Sequence, residues 1–137
     1  MQLKWEIEGY IVSDEKTMLQ MDRIEAWISE AYWAAGRSRE IIEKSIRHSL
    51  CFGMYDADGR QIGFARVITD QAVFSWIMDV IIDPEFRGKG LGKKLVDCIT
   101  AHPDIKHTKM GLATKDAHGL YRQFGFEIDE CMRRPLL

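Results

Sequence analysis

The sequence predicts an α+β fold on a single sheet. Two amphipathic helical segments precede three strand-like runs. The most apolar of those runs passes through glycines into a third helix, and a short strand and helix close the pattern. The resulting order, β-α-α-β-β-β-α-β-α, has one β-loop-α unit at its centre and no internal repeat, which points to helices laid on one mixed sheet.

Trp5-Glu6-Ile7-Glu8 alternates apolar and acidic residues, the pattern of a half-buried strand. Met21, Ile24, Trp27, Ile28, Ala31 and Tyr32 then recur at three- and four-residue steps, opposite Asp22, Arg23, Glu25, Ser29 and Glu30, as on an amphipathic helix. Gly36 is expected to stop it, and Ser38 to cap a second helix carrying Ile42 and Ile46. Leu50–Tyr55 and Gln61–Thr69 read as strands of a hairpin, with Asp58-Gly59 supplying the turn's backbone freedom. The run from Phe74 to Ile82 is β-branched at its end and suits a strand covered on both faces, and Pro84 ends it. Leu91, Leu95, Cys98 and Ile99 form one stripe of a third helix that closes at His102-Pro103. Met110–Ala113 is a short strand candidate. Ala117, Leu120, Tyr121 and Phe124 suggest a last helix ended by Gly125, with room for a terminal strand after Phe126.

The 137 residues (15.9 kDa) are expected to form one domain spanning 1–137, and with 46% apolar residues one ordinary core suffices. A net charge of −2 argues against a nucleic-acid coat or a basic membrane binder. No apolar run approaches the ~18 residues that span a bilayer, and the N-terminus lacks the apolar core of a secretion signal. Cys51, Cys98 and Cys131 are odd in number and widely spaced, and read as buried thiols of a reducing compartment. The expectation is a cytoplasmic domain with neither nucleic-acid nor membrane partners.

The chemistry is concentrated in Asp83-Pro84-Glu85-Phe86-Arg87-Gly88-Lys89-Gly90-Leu91-Gly92-Lys93-Lys94. Three glycines at alternate positions join a strand to the first turn of a helix. There the backbone amides lack intrahelical partners and sit at the positive end of the dipole. Glycine lets a diphosphate approach those amides, and Arg87, Lys89, Lys93 and Lys94 add positive charge. The segment is therefore read as a phosphate cradle. A P-loop would place a hydroxyl after Gly92-Lys93, where Lys94 stands, and a dinucleotide fingerprint would read GxGxxG rather than GxGxG.

Arg87-Gly88-Lys89-Gly90-Leu91-Gly92 matches an Arg/Gln-x-x-Gly-x-Gly/Ala signature, and Ala117-His118-Gly119-Leu120-Tyr121-Arg122-Gln123-Phe124-Gly125-Phe126 supplies a second element in the right order and spacing. On these motifs, with Asp79–Pro84 before the loop, the chain resembles the GCN5-related N-acetyltransferase (GNAT) family over roughly Cys51 to Phe126. The resemblance implies an α/β/α sandwich whose fourth and fifth strands splay apart. It also implies acetyl-CoA as cosubstrate, no metal, and transfer of the acetyl group to a primary amine by direct attack in a ternary complex. The acceptor, small molecule, amino acid or peptide, is left open, as is a homodimer.

Carried over residue by residue, the resemblance places the backbone of Val80, Ile81 and Ile82 on the pantetheine amides. It places the amides of Arg87, Gly88, Lys89, Gly90, Leu91, Gly92 and Lys93 on the pyrophosphate, with the Arg87 side chain supporting loop or phosphates. A backbone N–H on the Asp79–Ile82 strand is expected to meet the developing oxyanion. Tyr121 matches the family's acid for the departing thiolate, since a phenol of ordinary pKa about 10 is protonated at neutral pH. Asp79, a carboxylate in an otherwise apolar strand, is the candidate base for the amine. Trp33 and Arg37 fall where the family's acceptor lies. Packing is the alternative for Tyr121, Trp33 and Arg37; for Asp79 it is bonding to neighbouring backbone, with waters or a Glu elsewhere serving as base. The histidines have no metal-ligand spacing and suit surface or capping roles, and Cys98 suits packing. A non-catalytic CoA-binding sensor or scaffold remains the competing function.

Overall fold

The computed structural model describes residues 3–31 and 36–135. Six strands form one sheet: β1 (Lys4–Ile7), β2 (Tyr10–Ser13), β3 (Leu50–Tyr55), β4 (Gln61–Thr69), β5 (Phe74–Ile82) and β6 (Lys109–Leu112). They lie in sequence order, antiparallel throughout except for the parallel β5–β6 pair. The helices are α1 (Met21–Glu30), α2 (Arg39–Arg47), α3 (Leu91–Ala101) and the short α4 (His118–Arg122). This is the expected mixed sheet flanked by helices.

Local chemistry accounts for most boundaries. The first expected strand is a hairpin, because Glu8 (φ 50°) and Gly9 (φ 88°) together adopt the left-handed backbone of a tight turn and send the chain back as β2. Helix α1 stops at Glu30, short of Gly36, because Ala31 is already extended at ψ 129°. Ser38 caps α2 as expected, its Oγ accepting the Ile41 N–H at 3.2 Å. In the β3–β4 turn Asp56 Oδ1 accepts the N–H groups of Asp58 and Arg60, each at 3.0 Å. After Phe126 the described residues form no strand.

Two apolar clusters lie on opposite faces of the sheet. Leu91, Leu95, Cys98 and Ile99 of α3 pack with Phe52, Met54, Val67 and Ile77. Ile24, Trp27 and Ile28 of α1, with Ile42 and Ile46 of α2, pack against Cys51, Phe64 and Ile81. Ile77 and Ile81 share strand parity yet serve opposite faces, so β5 must change phase between them. It does so at a bulge, where Arg66 pairs Met78 and Phe64 pairs Ile81, leaving one extra residue on β5. Asp79 sits in that bulge at φ 53°, a conformation aspartate tolerates better than most side chains.

Cys51 and Cys98 are buried, but Cys131 is exposed, contrary to expectation, because the segment after Phe126 lies outside both clusters. His102 is buried, and as the C-cap residue of α3 it takes the capping one of its two expected roles. Its Nε2 lies 2.8 Å from Asp14 Oδ2, and its Nδ1 accepts the Asp104 N–H at 3.1 Å.

Candidate active site

The β5–β6 ladder joins Phe74–Ile77 to Lys109–Leu112 and goes no further. β5 continues to Ile82 in pairing with β4 alone while β6 ends at Leu112, so beyond Ile77 the β6 side of β5 carries no strand. The side chains of Val80 and Ile82 pack against the α3 cluster and that of Ile81 against the α1–α2 cluster. What this stretch can offer a ligand in the gap is its backbone.

The glycine segment follows directly. Asp83 Oδ1 accepts the Glu85 N–H at 2.9 Å and starts a single 3-10 turn, Pro84–Phe86. Gly88 (φ 81°) and Gly90 (φ 75°) then take left-handed backbone, and a Cβ on either would meet nothing within 4 Å. The glycines are thus required by conformation, and the space beside them is open. None of the N–H groups from Gly88 to Lys93 makes a well-formed hydrogen bond to another described residue. The first to do so is that of Lys94, to the Gly90 carbonyl at 3.3 Å. Open, unpaired amides at the start of an eleven-residue helix fit a diphosphate.

The cations around this turn are individually placed. Arg87 Nε donates to the Ile82 carbonyl at 3.2 Å, so the side chain braces the loop against the end of β5. The Lys89 ammonium lies 5.1 Å from the centroid of the Phe86 ring, Lys94 pairs with Glu8, and Lys93 is exposed.

Asp79 is the most connected of the expected catalytic residues. Its Oδ2 accepts from Arg37 Nη1 at 2.8 Å and from Arg66 Nε at 3.0 Å. Burial pushes its carboxyl upward, but the hydrogen bonds and charges of Arg37, then Arg66, outweigh that and hold it below the usual aspartate range. Arg37 is thereby tied to β5, while Trp33 lies outside the described residues. Arg66 was not anticipated. It is the one charged residue in the apolar strand β4, the same signal that marks Asp79 in β5.

Tyr121 is nearly buried on α4, edge-on to Phe126 at 5.8 Å between ring centroids. Burial raises its phenol pKa, with a smaller contribution from the charge of Asp116, so the hydroxyl keeps its proton at neutral pH. Tyr121 lines a cavity of about 970 Å³ that also takes in Trp76, the β6 strand through Leu112, and His118. Neither Asp79 nor the glycine segment reaches that cavity. Burial pushes the thiols of Cys51 and Cys98 up to about 12 and about 11, so neither is a ready nucleophile. Among the described residues no cluster of acids, histidines and cysteines could hold a metal, and no helix is long and apolar enough to cross a membrane.

The opening expected between the fourth and fifth strands falls between β5 and β6, because the first expected strand is a hairpin that adds one to the count, while β4 and β5 stay paired. A family model for the acetyltransferase (GNAT) domain matches residues 47–128. The chain belongs to the GNAT acetyltransferase family. A Gibberella zeae protein assigned as an acetyltransferase is 30% identical over 146 aligned positions, covering 90% of this chain and 82% of that one. GCN5-related N-acetyltransferase 2, chloroplastic, of Arabidopsis thaliana is 35% identical over 80 positions, 56% of this chain but 31% of that longer protein. A crystal structure from Xanthomonas campestris assigned to the GNAT family superposes with a TM-score of 0.90 at 39% identity, over 96% of both chains. A GNAT acetyltransferase from Elizabethkingia anophelis with acetyl-CoA bound shares the fold, with a TM-score of 0.70 at 15% identity over 90% of this chain and 80% of that one. As a GNAT enzyme, the protein is an acyl-group transferase.

Proposed function

We propose that this GNAT protein transfers an acetyl group from acetyl-CoA to a primary amine by direct attack in a ternary complex. The carrying observation is the run of unpaired amides from Gly88 to Lys93 at the mouth of the β5–β6 gap. Those amides hold the diphosphate, Arg87 keeps the loop against Ile82, and the backbone of Val80, Ile81 and Ile82 pairs with the pantetheine amides in the gap. Bound there, acetyl-CoA supplies an activated thioester. A backbone N–H of the Asp79–Ile82 stretch stabilises the oxyanion that forms on attack, a contribution of a few kcal/mol in comparable sites. Tyr121 gives its proton to the departing sulfur. With two guanidiniums on one oxygen and a lowered proton affinity, Asp79 is a poor acceptor for the amine's proton, which passes to solvent water instead, and the role of Asp79 in this reading is to hold Arg37 and Arg66 in place.

The test is CoA release across a mixed amine library, alongside melting curves with acetyl-CoA, ATP and NAD. Turnover with at least one amine is expected, together with protection by acetyl-CoA; a ligand at a hundred times its Kd adds about 2.7 kcal/mol. Protection by ATP or NAD without protection by acetyl-CoA would sink the proposal. Protection by acetyl-CoA without turnover on any amine would favour a CoA sensor.

A further inference from the structure

On the α1–α2 face of β4 and β5, one buried cation, Arg66, and one half-buried cation, Arg37, share one anion. Arg37 and Arg66 both donate to Oδ2 of Asp79, whose side chain is 1% exposed. Arg66 directs Nη1 to Ser49 Oγ at 3.1 Å and Nη2 to the Met78 thioether at 3.3 Å. The bulge makes this possible, since it puts Met78 and Asp79, neighbours on one strand, on the same side of the sheet.

Two features of this cluster call for a further anion. Among the described residues neither guanidinium has a second carboxylate within ion-pair distance. The intervening Tyr32-Trp33-Ala34-Ala35 contains no acid that could supply one. Two positive charges against one buried carboxylate leave an excess positive charge, which the cluster presents to solvent at the half-buried Arg37. In addition, a thioether is a weak acceptor for a guanidinium N–H, and a carboxylate or phosphate oxygen is a far stronger one. The Arg37 side chain, 20% exposed, is the side on which the cluster meets solvent.

We infer that Arg37 and Arg66 read an oxyanion, carboxylate or phosphate, carried by the amine that accepts the acetyl group. Because Asp79 adjoins the Val80–Ile82 backbone, an oxyanion seated on these forks holds an amine a few bonds away at the β5–β6 gap. The planar guanidinium fork suits this recognition better than a lysine would. The inference rests on the acetyl-transfer reading and narrows its acceptor to amines with an adjacent negative charge.

The experiment compares matched amines: β-alanine with propylamine for a carboxylate, and phosphoethanolamine with ethylamine for a phosphate. The wild type should favour at least one anionic member by about tenfold or more in kcat/KM, the scale of one charge-assisted bond. The favoured pair identifies which oxyanion is read. Arg37→Gln, at the open side of the cluster, should erase the preference while leaving the KM for acetyl-CoA unchanged, and Arg37→Lys should restore part of it. Acetylation of propylamine and ethylamine at equal or higher efficiency, or a preference untouched by Arg37→Gln, overturns this inference and leaves the acetyl-transfer reading standing. Failure to consume acetyl-CoA with any amine, with no thermal protection by it, overturns both together.

Discussion

Arg23 Nη2 donates to Asp83 Oδ2 at 2.7 Å, and so fastens α1 to the residue at which β5 turns into the glycine segment. The same oxygen accepts Trp27 Nε1 at 3.2 Å, while Arg23 Nε donates to the Gln61 carbonyl at 2.6 Å. Asp83→Ala therefore strands two donors and removes the cap on the turn before the cradle. A loss of about 2–3 kcal/mol is expected, below the range for a fully buried pair because Arg23 is partly exposed. Urea denaturation measures it, and an unchanged midpoint would refute the tether.

Asp79 links stability to acid. Its folded pKa lies below the unfolded value, so its contribution is complete above the ordinary aspartate pKa and fades as pH falls through the folded value. Asp79→Asn should cost about 3 kcal/mol at pH 7, near 10 °C in Tm. The gap between wild type and variant should narrow below about pH 4. Melting curves from pH 7 to pH 3 test this; a constant gap would contradict the pairing.

Tyr121→Phe removes the proton donor while keeping the ring against Phe126. Expected is a fall in kcat of at least about tenfold with acetyl-CoA affinity retained. Because burial raises the phenol's pKa, a protonated Tyr121 remains available as an acid up to at least about pH 10. An alkaline decline of wild-type kcat that sets in near neutrality would assign that limb to another group.

Gly90→Ala tests the cradle's backbone. The new Cβ meets nothing, so the cost is conformational, about 1–2 kcal/mol for a left-handed residue. Gly59, at φ 81° in the β3–β4 turn, shares the conformation but lies in a different loop. Both variants should lose similar stability, and only Gly90→Ala should weaken acetyl-CoA binding in titration calorimetry. Equal affinities would argue against diphosphate contact at this turn.

Tyr55 buries its hydroxyl with no hydrogen-bond partner among the described residues, an arrangement that typically costs about 1–3 kcal/mol. Tyr55→Phe should raise Tm by a few degrees in scanning calorimetry. A lower Tm would mean that the hydroxyl is satisfied in solution.

The glycine segment, the strand before it and the helix after it were legible because each signal is local: apolar run, proline, alternating glycines. β2 was not, since Tyr10-Ile11-Val12-Ser13 has no polar alternation, and only Glu8-Gly9 marks its turn. Asp79 stood out as a charge among apolar neighbours. Arg66 carries the same mark, but its meaning depends on Asp79, thirteen residues on, and on Arg37, far back in the chain. Those contacts follow from a bulge that no turn residue announces.

Cys131 stands on the wall of the cavity that holds Tyr121, and it is exposed, whereas burial keeps Cys51 and Cys98 protonated and inaccessible. A maleimide fluorophore added to the unaltered protein should therefore attach at this one position. Its emission would then report on whatever fills the space beside the tyrosine, without any engineered handle.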